Sequence, residues 1–219
     1  MSFYQSLKDA CKLDWRSYTQ HEFVRKMGEG TLPRRAFQTY LVQDYLFLIQ
    51  FARAHALAVY KSTNLRDMRA AAAGVSAILD VEMELHVRLC TAWGLTRGDL
   101  ENTLESPQTI AYTRFVLEAG HAGDVLDLNV ALAPCMLGYA EIADWLIETF
   151  GIPSVDHPYH AWIMEYAGAA YQDVARETQA TLQKQADDLV TEARLPRLEK
   201  LFAQATRLEA DFWQMGLDS

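Results

Sequence analysis

The chain has 219 residues, half of which are hydrophobic, and it carries a formal net charge of −9 at pH 7. This length is enough to bury a hydrophobic core without disulfides, in one large domain or two small ones. The negative charge argues against nucleic-acid binding, and the sequence predicts neither a membrane-spanning segment nor an N-terminal secretory signal.

The sequence predicts an all-α protein. Alanine, leucine, glutamate and glutamine are frequent, and no segment of useful length alternates between apolar and polar residues with period two. We predict helices, in chain order, over residues 3–27, 33–62, 66–93, 107–121, 124–150, 157–185 and 192–215. No linker rich in glycine, serine or proline divides this series, so we expect a single helical-bundle domain over residues 1–219.

Glycine, proline and a capping serine set the predicted helix boundaries. Gly28 ends the first helix, and Pro33 is predicted in the first turn of the second. Ser106 is the predicted cap of the fourth helix, directly before a first-turn proline. Gly151 ends the fifth helix, and the sixth segment allows a bend near Gly168.

An aspartate interrupts the apolar face of the second predicted helix. Asp44 and His55 are the polar members of a face with spacings of three and four residues that otherwise contains Phe37, Leu41, Leu48 and Phe51. A buried carboxylate is costly unless it is paired or hydrogen-bonded. Asp44 is therefore either a structural aspartate satisfied by a neighbouring helix or a ligand-binding carboxylate.

The last predicted helix contains a similar interruption. Glu209 lies on an apolar face, with Phe202 and Ala205 seven and four residues before it and Phe212 and Trp213 three and four residues after it. Burial raises the pKa of a glutamate and suits it to proton transfer near neutral pH. The alternative is a structural ion pair with an arginine.

A cysteine directly follows a proline inside the fifth predicted helix. Pro134 removes a backbone hydrogen bond and bends the helix, and we predict that the bend directs Cys135 into a pocket. Most cysteines on apolar helix faces are inert, and apolar surroundings raise a thiol pKa, so the pattern leaves Cys135 as a core thiol or a nucleophile. The same choice between core and cavity applies to four aromatic residues: Phe47, Tyr112, Tyr139 and Tyr166.

The three cysteines of the chain, Cys11, Cys90 and Cys135, lie far apart in the sequence and form no C-x-x-C motif. Their number and spacing argue against a disulfide framework and against a zinc ribbon. Such cysteine usage is typical of proteins in a reducing compartment. We therefore expect a cytoplasmic protein.

Seven motifs follow one another along nearly the whole chain. They are His21-Glu22-Phe23-Val24, Gly28-Glu29-Gly30-Thr31-Leu32-Pro33, Phe37-x-x-Tyr40-x-x-Gln43-Asp44-Tyr45, Glu82-Met83-Glu84-Leu85-His86, Pro134-Cys135 with Tyr139 and Glu141, Trp162-Ile163 with Tyr166, and Glu209-x-x-Phe212-Trp213. This ordered set resembles the TenA family of aminopyrimidine aminohydrolases, also called thiaminase II, in the class with a catalytic cysteine. The resemblance implies an all-α, haem-oxygenase-like fold, assembled as a homotetramer.

The resemblance also implies roles for the three chemically active candidates. Cys135 matches the family's nucleophile. Glu209 matches the acid/base that contacts a ring nitrogen of the pyrimidine. Asp44 matches the carboxylate that holds the amino group of the ring.

The four aromatic candidates match the walls of the same pocket. Tyr112 and Tyr166 correspond to aromatic walls, and Tyr139 corresponds to the hydroxyl near the thiol. Position 47 departs from the family, which often has tyrosine there. Phe47 keeps a ring for stacking but lacks the hydroxyl, so a hydrogen bond from this position to substrate or thiol is not expected.

The implied reaction belongs to thiamine salvage. It converts 4-amino-5-aminomethyl-2-methylpyrimidine to the hydroxymethylpyrimidine and ammonia, and thiamine itself is a second candidate substrate, cleaved to the hydroxymethylpyrimidine and the thiazole alcohol. A thiolate adds to a ring carbon, which splits one difficult displacement into easier steps. We expect no metal, organic cofactor, nucleic acid or membrane to take part.

A di-iron oxidase with a haem-oxygenase-like fold is the first alternative. Glu82, His86 and Glu141 are of the right residue types, but such sites take about six carboxylate and histidine ligands from several helices. No histidine follows His160 in the later helices, so a complete ligand set is missing. In the family resemblance, Glu82 and His86 are polar residues that pack between helices, and a supporting role behind the residues that contact substrate is the alternative for Glu82.

A non-catalytic, pyrimidine-binding regulatory protein is the second alternative. The acidic balance and the lack of a basic recognition helix argue against direct contact with DNA. The presence of both Cys135 and Glu209 also argues against this function, because binding alone needs no nucleophile.

Overall fold

The computed structural model describes residues 2–219, apart from the side chains of residues 81 and 85. Every regular element in this range is helical, which confirms the all-α prediction; residue 1 of the predicted domain lies outside the described residues. The α-helices are α1 (Phe3–Ala10), α2 (Lys12–Thr19), α3 (Glu22–Gly28), α4 (Arg34–Lys61), α5 (Leu65–Ala77), α6 (Met83–Ala92), α7 (Arg97–Asn102), α8 (Pro107–Ala122), α9 (Val125–Phe150), α10 (His160–Ala167), α11 (Ala169–Leu189) and α12 (Leu195–Leu217).

The first predicted helix, over residues 3–27, is in fact three short helices. The backbone departs from helical geometry at Cys11 and again at Gln20. His21 then begins α3, because its Nδ1 accepts a hydrogen bond from the backbone N–H of Phe23 at 3.2 Å. The prediction of one helix was wrong because no glycine or proline marks either break.

The segment between α4 and α8 also differs from the prediction. A π-helical turn at Ile78–Glu82 interrupts the helix expected over residues 66–93 and separates α5 from α6. Such turns are rare and occur frequently at functional sites. The short helix α7 was not predicted. It begins with a capping box in which the side chains of Thr96 and Asp99 each accept a hydrogen bond from the other residue's backbone N–H.

Most of the other predicted boundaries are confirmed. The Ser106 hydroxyl accepts a hydrogen bond from the backbone N–H of Thr109 and caps α8. Gly151 ends α9 with a positive φ of 82°, a conformation that glycine adopts without strain. Gly168 separates α10 from α11. Pro33 is the residue before α4 rather than part of its first turn, so that boundary was misplaced by one residue.

Helix α9 is the central helix of the bundle and packs against α8, α11 and α12. Its length and composition are those of a membrane span, contrary to the expectation from the sequence, but most of its residues are buried within the bundle as core. The helix continues through Pro134, whose carbonyl accepts a hydrogen bond from the Tyr18 hydroxyl at 3.2 Å. The bend expected at this proline stays a prediction.

Packed aromatic rings fix the position of α12 in the bundle. The ring of Trp213 lies 5.0 Å from Phe23, 5.1 Å from Tyr40 and 5.4 Å from Tyr139, measured between centroids. These contacts connect α12 with α3, α4 and α9. Because Glu209 lies one turn before Trp213 on the same face, this packing also fixes its carboxyl group in the core.

Candidate active site

A cavity of about 130 Å³ lies beside Cys135. Its wall comes from α4, α5, the π-helical turn, α9, α10 and α11. Five of the seven candidate residues line it, namely Asp44, Phe47, Cys135, Tyr139 and Tyr166.

The remaining two candidates form a hydrogen-bonded pair. The Tyr112 hydroxyl donates a hydrogen bond to Oε1 of Glu209 at 2.8 Å. The Glu209 carboxyl in turn interacts with the thiol of Cys135. The structure therefore brings together all seven candidates, which come from five different helices, α4, α8, α9, α10 and α12.

Burial dominates the electrostatics of the thiol and its neighbouring acid. It raises the pKa of Glu209 to about 8, and the hydrogen bond from Tyr112 limits that rise. Burial also raises the pKa of Cys135 well above its usual value, and the carboxylates of Glu209 and Asp44 add to the effect. The resting state is therefore the protonated thiol, and its proton needs an acceptor before the sulfur can act as a nucleophile.

Asp44 is buried between a tyrosine and a histidine. Its Oδ2 accepts a hydrogen bond from the Tyr40 hydroxyl at 3.4 Å and lies 3.4 Å from Nδ1 of His86. Nε2 of His86 donates to the carbonyl oxygen of Leu41 at 2.7 Å, so Nδ1 of the neutral ring carries no proton. Burial raises the pKa of Asp44 to about 7 and lowers that of His86. The unprotonated Nδ1 of His86 therefore faces a carboxyl group that burial keeps partly protonated near neutral pH.

Two pairs of aromatic rings flank the reactive groups. The centroids of Phe47 and Tyr112 lie 5.1 Å apart, and those of Tyr139 and Tyr166 lie 4.9 Å apart. Apolar walls of this kind bind a flat ring and exclude water from it. Because aromatic side chains form these walls, only a few polar groups remain to contact the bound ring. Each of these polar groups therefore matters for the orientation of the bound ring.

Four residues near the cavity were not among the candidates predicted from the sequence. Tyr40 and His86 contact Asp44, and Tyr171 lines the cavity while its hydroxyl donates to the carbonyl of Met136 at 3.2 Å. Glu82 lines the cavity rather than only packing between helices. Tyr40 could have been identified from the sequence, because it lies four residues before Asp44 on the same helix. No comparable sequence signal points to Tyr171.

The arginine ion pair of Glu209 and the di-iron site are two alternatives that the structure does not support. Among residues 2–219, no arginine pairs with Glu209, whose hydrogen-bond donor is a tyrosine hydroxyl. The described residues also contain no group of three or more histidine, cysteine, aspartate or glutamate side chains placed to hold a metal ion, which the di-iron alternative requires. Glu141 lies elsewhere and pairs with Lys8 at 2.6 Å.

The fold and the site define a class of protein, a helical bundle with an aromatic-walled cavity in which one thiol faces buried carboxyl groups. The particular family follows from the sequence. The chain belongs to the TENA/THI-4/PQQC family, whose sequence profile matches residues 8–219. The family resemblance of the motifs is thereby confirmed.

Individual relatives match over nearly their full length. The chain is 40% identical over 205 residues to an uncharacterised protein of Haemophilus influenzae, covering 93% of this chain and 94% of that protein. It is 35% identical over 218 residues to the aminopyrimidine aminohydrolase of Halalkalibacterium halodurans, covering 99% and 96% respectively.

Solved structures share the fold. A TenA family transcription regulator from a Silicibacter species superposes with a TM-score of 0.93 at 42% identity, covering 99% of this chain and 96% of that chain. A domain of unknown function from Shewanella denitrificans with a haem-oxygenase-like fold superposes with a TM-score of 0.77 at 11% identity, covering 100% and 93%. The prediction of a haem-oxygenase-like fold is thereby confirmed.

Proposed function

We propose that the protein is a hydrolase of thiamine salvage that replaces the amino substituent of 4-amino-5-aminomethyl-2-methylpyrimidine by hydroxyl and releases ammonia. Thiamine, whose leaving group is the thiazole, is the second proposed substrate. The observation that carries the proposal is the convergence of Cys135, Glu209 and Asp44 on one aromatic-walled site. The name of the Halalkalibacterium halodurans relative supports the same activity.

The first step begins from the protonated thiol of Cys135 and an ionised Glu209 carboxyl. The sulfur of Cys135 forms a bond to C6 of the pyrimidine. The thiol proton passes through the Glu209 carboxyl to the neighbouring ring nitrogen, N1. The ring loses its aromaticity but gains no net charge. The raised thiol pKa suits this order of events, because the proton leaves the sulfur only as the new bond forms.

The second step expels the substituent. The lone pair of the 4-amino nitrogen enters the ring, and the bond between the exocyclic methylene carbon and the substituent breaks. An ammonium substituent leaves as ammonia with the bonding electron pair. Asp44 accepts a hydrogen bond from the 4-amino group and stabilises the positive charge that develops there.

Water completes the reaction. Its oxygen bonds to the methylene carbon, one of its protons is lost, and the electron pair returns to the amino nitrogen. The bond between C6 and sulfur then breaks, and the N1 proton returns through Glu209 to the sulfur. Thiol and carboxylate are regenerated, so the proposed cycle requires no cofactor.

A homotetramer in the cytoplasm is the proposed setting of this activity. The family resemblance supports the assembly, and the three free cysteines, Cys11, Cys90 and Cys135, support a reducing compartment. Analytical ultracentrifugation of the purified protein tests the assembly directly, since a tetramer and a monomer of a 24.8 kDa chain sediment very differently.

The experiment that tests the function is product analysis with two substrates. The protein is incubated in H₂¹⁸O with the aminomethylpyrimidine or with thiamine. We expect ammonia and the ¹⁸O-labelled alcohol in equal amounts from the first, with Glu209→Gln almost inactive. Tight binding of the pyrimidine without either product would support the regulatory alternative and contradict the proposed reaction.

A further inference from the structure

A third carboxyl group faces the cavity, and the proposed reaction cycle has not used it. Glu82 is the last residue of the π-helical turn, and its side chain lines the cavity together with Cys135 and Asp44. Among the described residues, no hydrogen bond or ion pair fixes this carboxyl group. An unpaired acid in a largely apolar cavity is unfavourable, so a ligand that supplies the missing partner is expected to gain from it.

The lining of the cavity places Glu82 on one side of the site. Glu82, Cys135 and Asp44 all line the cavity, whereas Glu209 is not among its lining residues. The charge of Glu82 acts on the Cys135 thiol, and the charge of Asp44 acts on Glu82. Glu82 therefore lies on the side of the site that holds the thiol and Asp44.

The order of atoms around the pyrimidine shows which part of the substrate Glu82 faces. This argument rests on the proposed function. N1 faces Glu209, the next atom, C6, faces Cys135, C5 carries the substituent, and the amino group on C4 faces Asp44. The substituent therefore leaves the ring between Cys135 and Asp44. That is the side on which Glu82 lies.

We propose that Glu82 binds the cationic substituent of the pyrimidine and then accepts the proton of the water that replaces it. The carboxylate pairs with the ammonium group in the bound substrate. After the carbon–nitrogen bond has broken and ammonia has left with the electron pair, water attacks the methylene carbon and its proton passes to Glu82. The proton then leaves with ammonia as ammonium, so charge and atoms balance.

The rest of this end of the cavity defines the class of leaving group. Its wall is mainly apolar, with Phe51, Ile78 and Val174 among the lining residues. His55 is the lining residue that is able to become cationic, and burial lowers its pKa to about 4, so it is neutral at physiological pH. The site therefore favours cationic or uncharged leaving groups and disfavours substituents that carry a phosphate.

The groups around Glu82 determine its protonation in the empty site. They are Asp44 from α4, Cys135 from α9, Glu165 and Tyr166 from α10 and Tyr171 from α11. Burial, with Asp44 and Glu165 adding to it, raises the pKa of Glu82 to about 7. A bound cation opposes this rise and favours the carboxylate, which is the form that the water step needs.

Glu82→Gln tests this assignment, with Glu84→Gln as a matched control because Glu84 is an exposed acid two residues away. We expect Glu82→Gln to lower kcat/KM for ammonia release about a hundredfold or more, the range for a lost general base. Its affinity for 4-amino-2,5-dimethylpyrimidine, which has an uncharged methyl group at C5, should stay at the parent value. Glu84→Gln should match the parent in both measurements.

A second readout isolates the water step. The hydroxymethylpyrimidine product, incubated with the protein in H₂¹⁸O, should exchange its hydroxyl oxygen by the reverse reaction, and Glu82→Gln should lose this exchange. Should circular dichroism show that the glutamine variant is misfolded, Glu82→Asp takes its place. The shortened acid should keep the affinity for the dimethylpyrimidine and lose part of both rates.

The outcomes separate the two proposals. Ammonia release and oxygen exchange at parental rates in Glu82→Gln would overturn the assignment of Glu82 and leave the hydrolase intact. Equal losses of activity and of dimethylpyrimidine affinity would indicate a purely structural role and also overturn it. If the parent itself forms neither ammonia nor exchanged alcohol, the proposed function fails and the role of Glu82 fails with it.

Discussion

The hydroxyl of Tyr112 donates a hydrogen bond to Oε1 of Glu209 at 2.8 Å, and so joins α8 and α12 through two residues that lie 97 positions apart in the sequence. Both side chains are buried. The hydrogen bond stabilises the ionised carboxyl and so limits the rise in the Glu209 pKa, which burial brings to about 8. Tyr112 thereby adjusts the pKa of the acid that, in the proposed reaction, exchanges a proton with Cys135.

Tyr112→Phe is therefore expected to change the pH dependence of the reaction. The reactive free enzyme has an ionised Glu209 and a protonated thiol, so kcat/KM should fall as the pH drops below about 8. Without the hydroxyl, the pKa of Glu209 rises further, so the fall in kcat/KM on the acidic side of the pH profile should begin at a higher pH. Tyr60→Phe, which alters an exposed hydroxyl on α4, is the control. If the acidic side of the pH profile is the same in Tyr112→Phe as in the parent, Tyr112 does not adjust the pKa of Glu209.

Glu209→Gln should stabilise the protein while abolishing its activity. The pKa of Glu209 is about 8 in the folded chain against an ordinary 4.5. The stability from its protonated form is therefore complete below about 4.5 and is lost as the pH rises through about 8. Glutamine mimics the protonated acid, so the variant should gain about 2–4 kcal/mol over the parent between pH 5 and pH 9.

Denaturant titrations at the two pH values measure this gain. Glu199→Gln, on the same helix and partly exposed, serves as the control and should show no pH-dependent difference from the parent. The prediction is contradicted if the difference in unfolding free energy between Glu209→Gln and the parent is the same at pH 5 and pH 9. In that case Glu209 binds its proton no more tightly in the folded chain than in the unfolded chain.

Asp44→Asn should weaken substrate binding and turnover together. The amide can present its NH₂ group to the 4-amino group of the pyrimidine, so that two donors face each other, and it carries no charge to stabilise the amino nitrogen. We expect kcat/KM to fall about a hundredfold, in line with the loss of one oriented electrostatic contact. Steady-state ammonia kinetics measure it, and an unchanged kcat/KM would remove Asp44 from the site.

Phe47→Leu should affect binding more than chemistry. Its ring lies 5.1 Å from Tyr112 and 5.9 Å from Phe212, which makes it part of the aromatic wall. Leucine keeps an apolar side chain but loses the flat surface for stacking, so KM should rise about three- to tenfold, while kcat changes little. A large fall in kcat at constant KM would show that Phe47 acts on the reacting atoms instead.

Gly138→Ala tests whether packing behind α9 supports the segment around Cys135. A Cβ at position 138 lies only 2.6 Å from the hydroxyl oxygen of Tyr18, which donates to the carbonyl of Pro134. The methyl group forces Tyr18 to move, and the cost should be about 1–3 kcal/mol of stability. Gly98→Ala in exposed α7, with its nearest neighbour at 3.6 Å, is the control in thermal unfolding.

Sequence periodicity predicted the long helices better than the irregular ones. The helices α4, α8, α9 and α12 appear close to their expected positions because proline, glycine or capping serine marks several of their ends. The breaks at Cys11 and Gln20 carry no such residue. The π-helical turn at Ile78–Glu82 depends on packing rather than on a local signal, so the segment was read as one regular helix.

The same limit explains which parts of the site were predicted. Asp44 and Glu209 stood out because each places a carboxyl group on an apolar helix face. The sequence pattern left Tyr112 as either a core or a cavity residue, since a tyrosine on an apolar face is ordinary, and only the family resemblance assigned it to the pocket. Glu82 was interpreted from the family resemblance as a packing residue, with a supporting role at the site as the alternative. Spacing rules assume a regular helix, so they gave no signal for a residue in the π-helical turn.

The most direct test of the central claim, that Cys135 is the nucleophile of an aminopyrimidine hydrolase, is the rate of ammonia release by Cys135→Ala. Cys11→Ala is the matched control, because Cys11 is a buried thiol outside the cavity. Loss of the nucleophile should lower the rate about a hundredfold or more in Cys135→Ala, while Cys11→Ala keeps the parental rate. Ammonia release at the parental rate from Cys135→Ala would contradict the covalent mechanism.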